Sequence, residues 1–370
     1  MANNHIKFSL PARLFSESNK YLIKSVDCHC GGEPARIVFS GVPPFPTNCT
    51  TALLKRAHMM EHMDNLRKVL LLEPRGYPCQ NVDYIFRSNS GSLQYVIGEQ
   101  NKIYPLMSGH NTICAATAVL ECGVENMTFP ITNFTMESPA GPISISAECD
   151  SASNSVTSIA LTNAVSFVEI LDLEINIPQL NIGKVILDIA YGGMWYAVVD
   201  LHQFKAHPTL DMRLDKSNGA TLAKIGEMIK VACREQHPVQ HPTEDYPGVD
   251  ILVFREGNRN TVPMSNGELD WEKEETWTSM LDRSPCGTGT SAVMATMHKR
   301  GLLNVGEEFE HFSILGSRFV GKILSEVTMD DGRVGIVPEI KGRAFITQYS
   351  EVVVDEDDIF PVGFKVGDIW

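Results

Sequence analysis

Asp282-Arg283-Ser284-Pro285-Cys286-Gly287-Thr288-Gly289-Thr290 sets a cysteine between a Ser-Pro pair and a Gly-Thr-Gly turn. A run of small residues follows and reads as a helix over 291–301, stopping at a glycine. The first N–H groups of a helix have no partner within it, and the helix dipole places partial positive charge there. Such a start holds anions and lowers the pKa of a nearby thiol. The stretch therefore predicts a reactive Cys286 beside a cradle for a carboxylate.

The same device occurs earlier in the chain. Met107-Ser108-Gly109-His110-Asn111-Thr112 precedes a helix-like segment, 113–121, that ends near Gly123. Laid over the first stretch, Ser108-Gly109-His110-Asn111-Thr112 falls on Cys286-Gly287-Thr288-Gly289-Thr290. The chain is read as two related halves, with Ser in one copy and Cys in the other. Two helix starts facing one small anion place two side chains on opposite sides of it. That is the arrangement proton chemistry needs at a carbon next to a carboxylate.

Between and around these stretches the chain alternates short apolar segments with turns, read as strands. Examples are 21–27 and 35–39 around Gly31-Gly32, 185–190 and 194–199 around Gly192-Gly193, and 319–327, 334–340 and 343–349 near the end. Residues 48–65 read as a helix with Met59, Met60 and Met63 on one side, and 69–72 as a short strand. A second long helix is expected over 222–236. Residues 1–20 read as a leader, 169–181 as a run into a domain junction, 237–247 as a Pro- and His-rich loop, and 355–358 as a solvated acidic loop. Many short strands and one central helix per half give an α/β (α+β) class.

Several pieces in order carry a family resemblance: Asp27-Cys28-His29-Cys30-Gly31-Gly32-Glu33-Pro34-Ala35-Arg36, Glu73-Pro74-Arg75-Gly76, Ser108-Gly109-His110, Ser138-Pro139-Ala140-Gly141, Tyr191-Gly192-Gly193 and residues 282–289. Together they resemble the proline racemase superfamily, which includes proline racemases, 4-hydroxyproline epimerases and trans-3-hydroxy-L-proline dehydratases. The resemblance implies a diaminopimelate-epimerase-like fold, with two pseudo-symmetric domains whose strands wrap a central helix and an interdomain cleft for the substrate. The expected division is 1–184, carrying Ser108 and joined by a returning 352–370, and 185–351, carrying Cys286.

Within that frame Cys286 is the expected base. Ser108 stands where racemases of the family carry their other cysteine. It could donate a proton, relay one through water or His110, or merely cap its helix. Backbone N–H groups of Gly109, His110, Gly287 and Thr288 are expected to hold the substrate carboxylate. In the family the residues matching His110 and Asp282 also contact the ring nitrogen, and Asp282 suits a secondary ammonium. The cluster from Asp27 to Cys30 lacks a second ligand pair at metal spacing, so no metal and no cofactor are expected there. His207, His237 and His241 are assigned to loops. Tyr77 departs from the family, where histidine usually follows Glu-Pro-Arg-Gly, and this bears on substrate choice.

Replacing one thiol by a hydroxyl weakens two-way proton exchange. It favours dehydration of trans-3-hydroxy-L-proline to pyrroline-2-carboxylate, with 4-hydroxyproline 2-epimerisation, or both reactions, as the alternative. Proline racemisation, or a cleft that binds amino acids without turnover, stands behind these.

The 370 residues are 43% hydrophobic and 21% charged, enough chain for two domains. A net charge of −14 argues against nucleic-acid or anionic-membrane partners. No apolar run approaches the roughly 20 residues of a membrane helix. Nine scattered cysteines and no recognisable secretory signal fit a reducing, cytoplasmic setting. A small-molecule substrate is the expected partner, and a homodimer is left open.

Overall fold

The computed structural model describes residues 20–243, 248–355 and 357–367. The leader, part of the Pro- and His-rich loop, Glu356 of the acidic loop and the last three residues lie outside them.

The first half supplies β1 (Lys20–Cys30), β2 (Glu33–Ser40), β3 (Val82–Arg87), β4 (Leu93–Gly98), β5 (Ile131–Ser138), β6 (Gly141–Asp150) and β7 (Ser155–Thr162). The second supplies β8 (Ser166–Ile177), β9 (Gly183–Tyr191), β10 (Trp195–Asp200), β11 (Ile251–Glu256), β12 (Arg259–Thr261), a two-stranded ribbon of β13 (Pro263–Ser265) and β14 (Ser279–Leu281), then β15 (Glu308–Phe312), β16 (Arg318–Thr328) and β17 (Val334–Gly342). The last strand, β18 (Ala344–Asp355), runs antiparallel to β1 along its whole length. Strands β8 to β12 and β15 to β17 close a ring, because β16 and β17 pair as well. The remaining strands curve from β18 to β7, and β7 pairs with the end of β17, so the near-continuous β17–β18 strand serves both rings.

Each ring encloses one helix. The five α-helices among the described residues are α1 (Ala52–His62), α2 (Asp64–Leu71), α3 (Gly109–Glu121), α4 (Gly219–Gln236) and α5 (Gly287–Lys299). Helix α3 is buried from Gly109 to Leu120 and α5 from Gly287 to Thr296. A helix covered on every side needs an apolar or small residue at each position. Cys114-Ala115-Ala116-Thr117-Ala118 and Ser291-Ala292-Val293 meet that need and let the strands come close. One core runs through both rings around these helices. A second core lies under α4 outside β8–β11, and a third under α1 and α2 outside β2–β4.

Both central helices start earlier than the sequence reading placed them, at the glycine after Ser108 and after Cys286. Residues 69–72, read as a strand, are the end of α2, where Leu66, Val69 and Leu70 recur at helical spacing and are buried. The division at 184/185 does not match the pairing. Strand β8 pairs with β9 and packs on α5, so the second ring begins at Ser166. The alternation of β8 is broken by irregular register between Val168 and Leu173, which hid it as a strand. The return to the first half begins at Ala344, ahead of 352.

Candidate active site

The two helix starts meet head to head between the rings. A Cβ on Gly109 would lie 2.8 Å from the Gly287 Cα, and one on Gly287 would lie 2.9 Å from the Gly109 Cα. Only glycine lets the two backbones approach this closely. A cavity of about 420 Å³ opens over the junction. All seven residues singled out from the sequence line it: Ser108, Gly109, His110, Asp282, Cys286, Gly287 and Thr288.

The duplication extends to individual hydrogen bonds. Thr112 Oγ1 donates to the Ser108 carbonyl at 2.6 Å, and Thr290 Oγ1 donates to the Cys286 carbonyl at 2.7 Å. Behind these, Thr112 meets Tyr95 Oη at 2.6 Å and Thr290 meets His311 Nδ1 at 2.9 Å. Each ring thus pins the first turn of its helix from the side away from the cavity.

The functional side chains differ. Cys286 has φ 60° and ψ 115°, a conformation sparsely open to a side-chain-bearing residue. Its Sγ accepts the Gly289 N–H at 3.4 Å and lies 3.2 Å from Tyr196 Oη and 3.6 Å from Thr288 Oγ1. The loop before it is fixed by Asn260 Nδ2, which donates to the Pro285 carbonyl at 2.7 Å. The sequence led us to expect a lowered thiol pKa. Instead, burial pushes Cys286 up to about 12 and the Asp282 carboxylate adds to this, against the donors at Tyr196, Gly289 and Thr288. Burial of the sulfur removes the water that would solvate a thiolate, and one helix start does not make up for it.

Ser108 has ordinary extended backbone. Its Oγ accepts from Asn111 Nδ2 at 3.2 Å and lies 3.3 Å from His110 Nδ1. The other ring nitrogen of His110 is 3.1 Å from Asn81 Nδ2. Burial drops the His110 imidazole to about 3, so it is neutral at physiological pH. A neutral imidazole beside a hydroxyl fixes its orientation by a hydrogen bond.

Asp282 is 3% exposed, and its Oδ1 accepts the Ser284 N–H at 2.7 Å. Burial raises it to about 6, opposed by the bonds from Ser284. The motif from Asp27 to Arg36 buttresses the cleft. Asp27 binds Arg36 through both oxygens at 2.8 and 2.9 Å, and Arg36 Nη1 reaches the carbonyls of Leu70 and Arg75. Cys28 and Cys30 are buried beneath it. Tyr77 is 44% exposed and outside the cavity lining, whereas the next residues, Pro78 and Cys79, line it. His241 is not on an open loop: it packs against Phe167, Tyr191 and Trp195.

Among the lining residues that sequence reasoning missed are Tyr196, Glu33 and Glu99. Glu33 sits in the quoted Gly31-Gly32-Glu33-Pro34 turn, and its Oε2 accepts the Arg283 N–H at 2.7 Å, tying the two rings together. Burial and the nearby Asp282 push its pKa well up, against the bond from the Arg283 N–H.

The chain that builds this junction is similar to proteins of known kind. The proline racemase family model covers residues 25–365. The chain belongs to the proline racemase family. It is 34% identical over 354 residues to 4-hydroxyproline 2-epimerase 1 of Rhizobium rhizogenes, covering 95% of this chain and 97% of that one. It is 33% identical over 347 residues to proline racemase of Acetoanaerobium sticklandii, covering 93% and 98%. A hydroxyproline epimerase of Agrobacterium vitis, solved with bound trans-4-hydroxy-L-proline, superposes with TM-score 0.80 at 31% identity and covers 94% of this chain and 97% of that one. The fold is therefore the diaminopimelate-epimerase-like one. None of these relatives is named a dehydratase. Among the described residues no helix is long and apolar enough to cross a membrane.

Proposed function

We propose that this enzyme of the proline racemase family epimerises 4-hydroxyproline at Cα without a cofactor. The observation that carries the proposal is the junction of two helix starts with Cys286 on one and Ser108 on the other, over a cavity that also holds Asp282. The substrate carboxylate lies on the N–H groups of Gly109, His110, Gly287 and Thr288, where two helix dipoles converge. Asp282 takes the ring ammonium. The Cys286 thiolate removes the Cα proton: the C–H bond breaks, an S–H bond forms, and the electron pair spreads into the carboxylate. Donors aimed at that developing charge lower the barrier. Ser108 delivers its hydroxyl proton to the opposite face, the O–H bond breaking as the new C–H bond forms, with His110 orienting the hydroxyl; once the product leaves, water returns a proton to Ser108 and takes the one on Cys286. The names of the relatives above, and the hydroxyproline bound to one of them, favour this substrate.

A second reading is dehydration of trans-3-hydroxy-L-proline to pyrroline-2-carboxylate. Ser108 favours it, because loss of the hydroxyl from the neighbouring carbon needs only the one base. An NMR time course in D₂O separates the two. Deuterium entering Cα of trans-4-hydroxy-L-proline, with the cis-D isomer forming, is the expected result. Consumption of the 3-hydroxy compound alone would replace epimerisation by dehydration. No change with either compound or with L-proline would leave a binding protein.

A further inference from the structure

Glu99 follows β4 at the cavity wall. Its backbone is fully used: its N–H donates to the Ile103 carbonyl at 2.8 Å, and its carbonyl accepts from Arg67 Nη1 at 3.1 Å. Its carboxyl group has no hydrogen-bond or ion-pair partner among the described residues. Arg67, which bonds the Glu99 carbonyl, has its own charge met by both oxygens of Asp64. Asp282 is close enough to act on Glu99 electrostatically, and burial with Asp282 keeps Glu99 from ionising readily. The Glu99 carboxyl therefore stands beside the ligand site with its hydrogen-bonding capacity unspent. A half-buried carboxyl at a cavity wall without a protein partner is free to bond a polar group of whatever enters the cavity.

The other polar features of a cyclic amino acid are already provided for. Its carboxylate goes to the helix starts and its ammonium to Asp282. Of the other carboxyls lining the cavity, Asp282 is assigned to the ammonium and Asp250 Oδ2 accepts the Trp195 N–H at 3.3 Å; Glu33 has one oxygen committed to the Arg283 N–H and the other unpaired but completely buried, whereas Glu99 is partly exposed at the cavity wall. What is left on the ring is its substituent. We infer that Glu99 is the specificity-determining residue that hydrogen-bonds a ring hydroxyl, so that the cleft selects hydroxylated over plain cyclic amino acids. A site built to bond a hydroxyl rejects the analogue that lacks it, because the site's own group is then left unpaired. The inference rests on the substrate class proposed above.

The test measures kcat and KM for trans-4-hydroxy-L-proline, trans-3-hydroxy-L-proline and L-proline with wild type, Glu99→Gln and Glu99→Ala. Wild type is expected to prefer a hydroxylated substrate. Glu99→Ala should lower kcat/KM for it by about 10- to 100-fold, mostly through KM, and change L-proline by less than about 3-fold. Glu99→Gln keeps the volume and an acceptor oxygen and should fall between. Equal losses on hydroxylated and plain substrates would show a structural role and overturn the inference. So would a wild type that handles L-proline as well as either hydroxyproline. If wild type turns over nothing, the proposed reaction fails, and calorimetric titration with the same three compounds still decides on Glu99. Tighter binding of a hydroxyproline, abolished in Glu99→Ala, supports its role; equal binding, or none, overturns it.

Discussion

Ser108 and Cys286 occupy the same place at the heads of α3 and α5, and their first turns are pinned by the same threonine bond. Their backbones differ. Ser108 is extended and its hydroxyl leans on side chains, His110 and Asn111. Cys286 is held in a left-handed conformation and its sulfur sits directly on a helix N–H. One half holds its reactive atom with a backbone N–H as well as side-chain hydroxyls, the other with side chains alone. Backbone donors cannot turn away, so they suit a group that must carry negative charge. A hydroxyl with a neutral imidazole beside it suits a group that passes a proton on. A duplicated scaffold can thus keep its geometry and still divide the chemistry unequally.

The largest test of this asymmetry is to remove the sulfur. Cys286→Ala should lower turnover by roughly 10³-fold or more, measured by NMR in D₂O. Ser108→Ala should abolish formation of the opposite epimer to a similar extent while leaving deuterium exchange on the face served by Cys286. Loss of both signals in Ser108→Ala would mean that the halves act as one unit. Ser108→Cys makes the two heads alike, and epimerisation should rise by on the order of 10-fold relative to any dehydration, a thiol being the better acid.

The pH profile sharpens the comparison further. Asp282 must be ionised to hold the ammonium, so kcat/KM should fall as pH drops through about 6. Because the free Cys286 thiol is pushed up to about 12, kcat/KM should still be climbing above pH 8. A plateau from pH 7 upward would mean that the sulfur ionises more easily than its burial allows.

Gly109→Ala and Gly287→Ala each drive a Cβ into the opposite helix start. Each should cost about 1–3 kcal/mol of stability by urea denaturation and open the cavity. The smallest effect concerns Glu99, raised to about 7 when folded. An acid with a raised folded pKa contributes its full stability below its unfolded pKa and loses it as pH rises through the folded one. Wild-type stability should therefore decline between about pH 4.5 and 7, and Glu99→Gln should flatten that decline.

The junction was legible in the sequence because its requirements are local. A glycine for close approach, a capping residue before it and a threonine four positions after that residue all fall within five consecutive residues, twice. Tyr196 and Glu99 were not legible. They stand in or beside ordinary strands, and only the closing of the rings turns them toward the cavity. The end of α2 was misread because four apolar residues in a row fit either period. The state of Cys286 was misjudged for a related reason: the helix start is written locally, but the loss of water around it depends on both rings.

The strand β17–β18 has a consequence of its own. The chain passes between the rings at Asn163–Val165 and again at Arg343, at the two ends of the stretch over which β7 pairs with β17. The Asn163 N–H donates to the Pro338 carbonyl, and its side-chain amide donates to the Gly192 carbonyl and to Ser291 on α5. The molecule is bound like a book, with its spine along β7 and β17. Asn163 ties that spine to Ser291, one turn along α5 from Cys286, so the helix that carries the sulfur is anchored to the same seam that joins the rings.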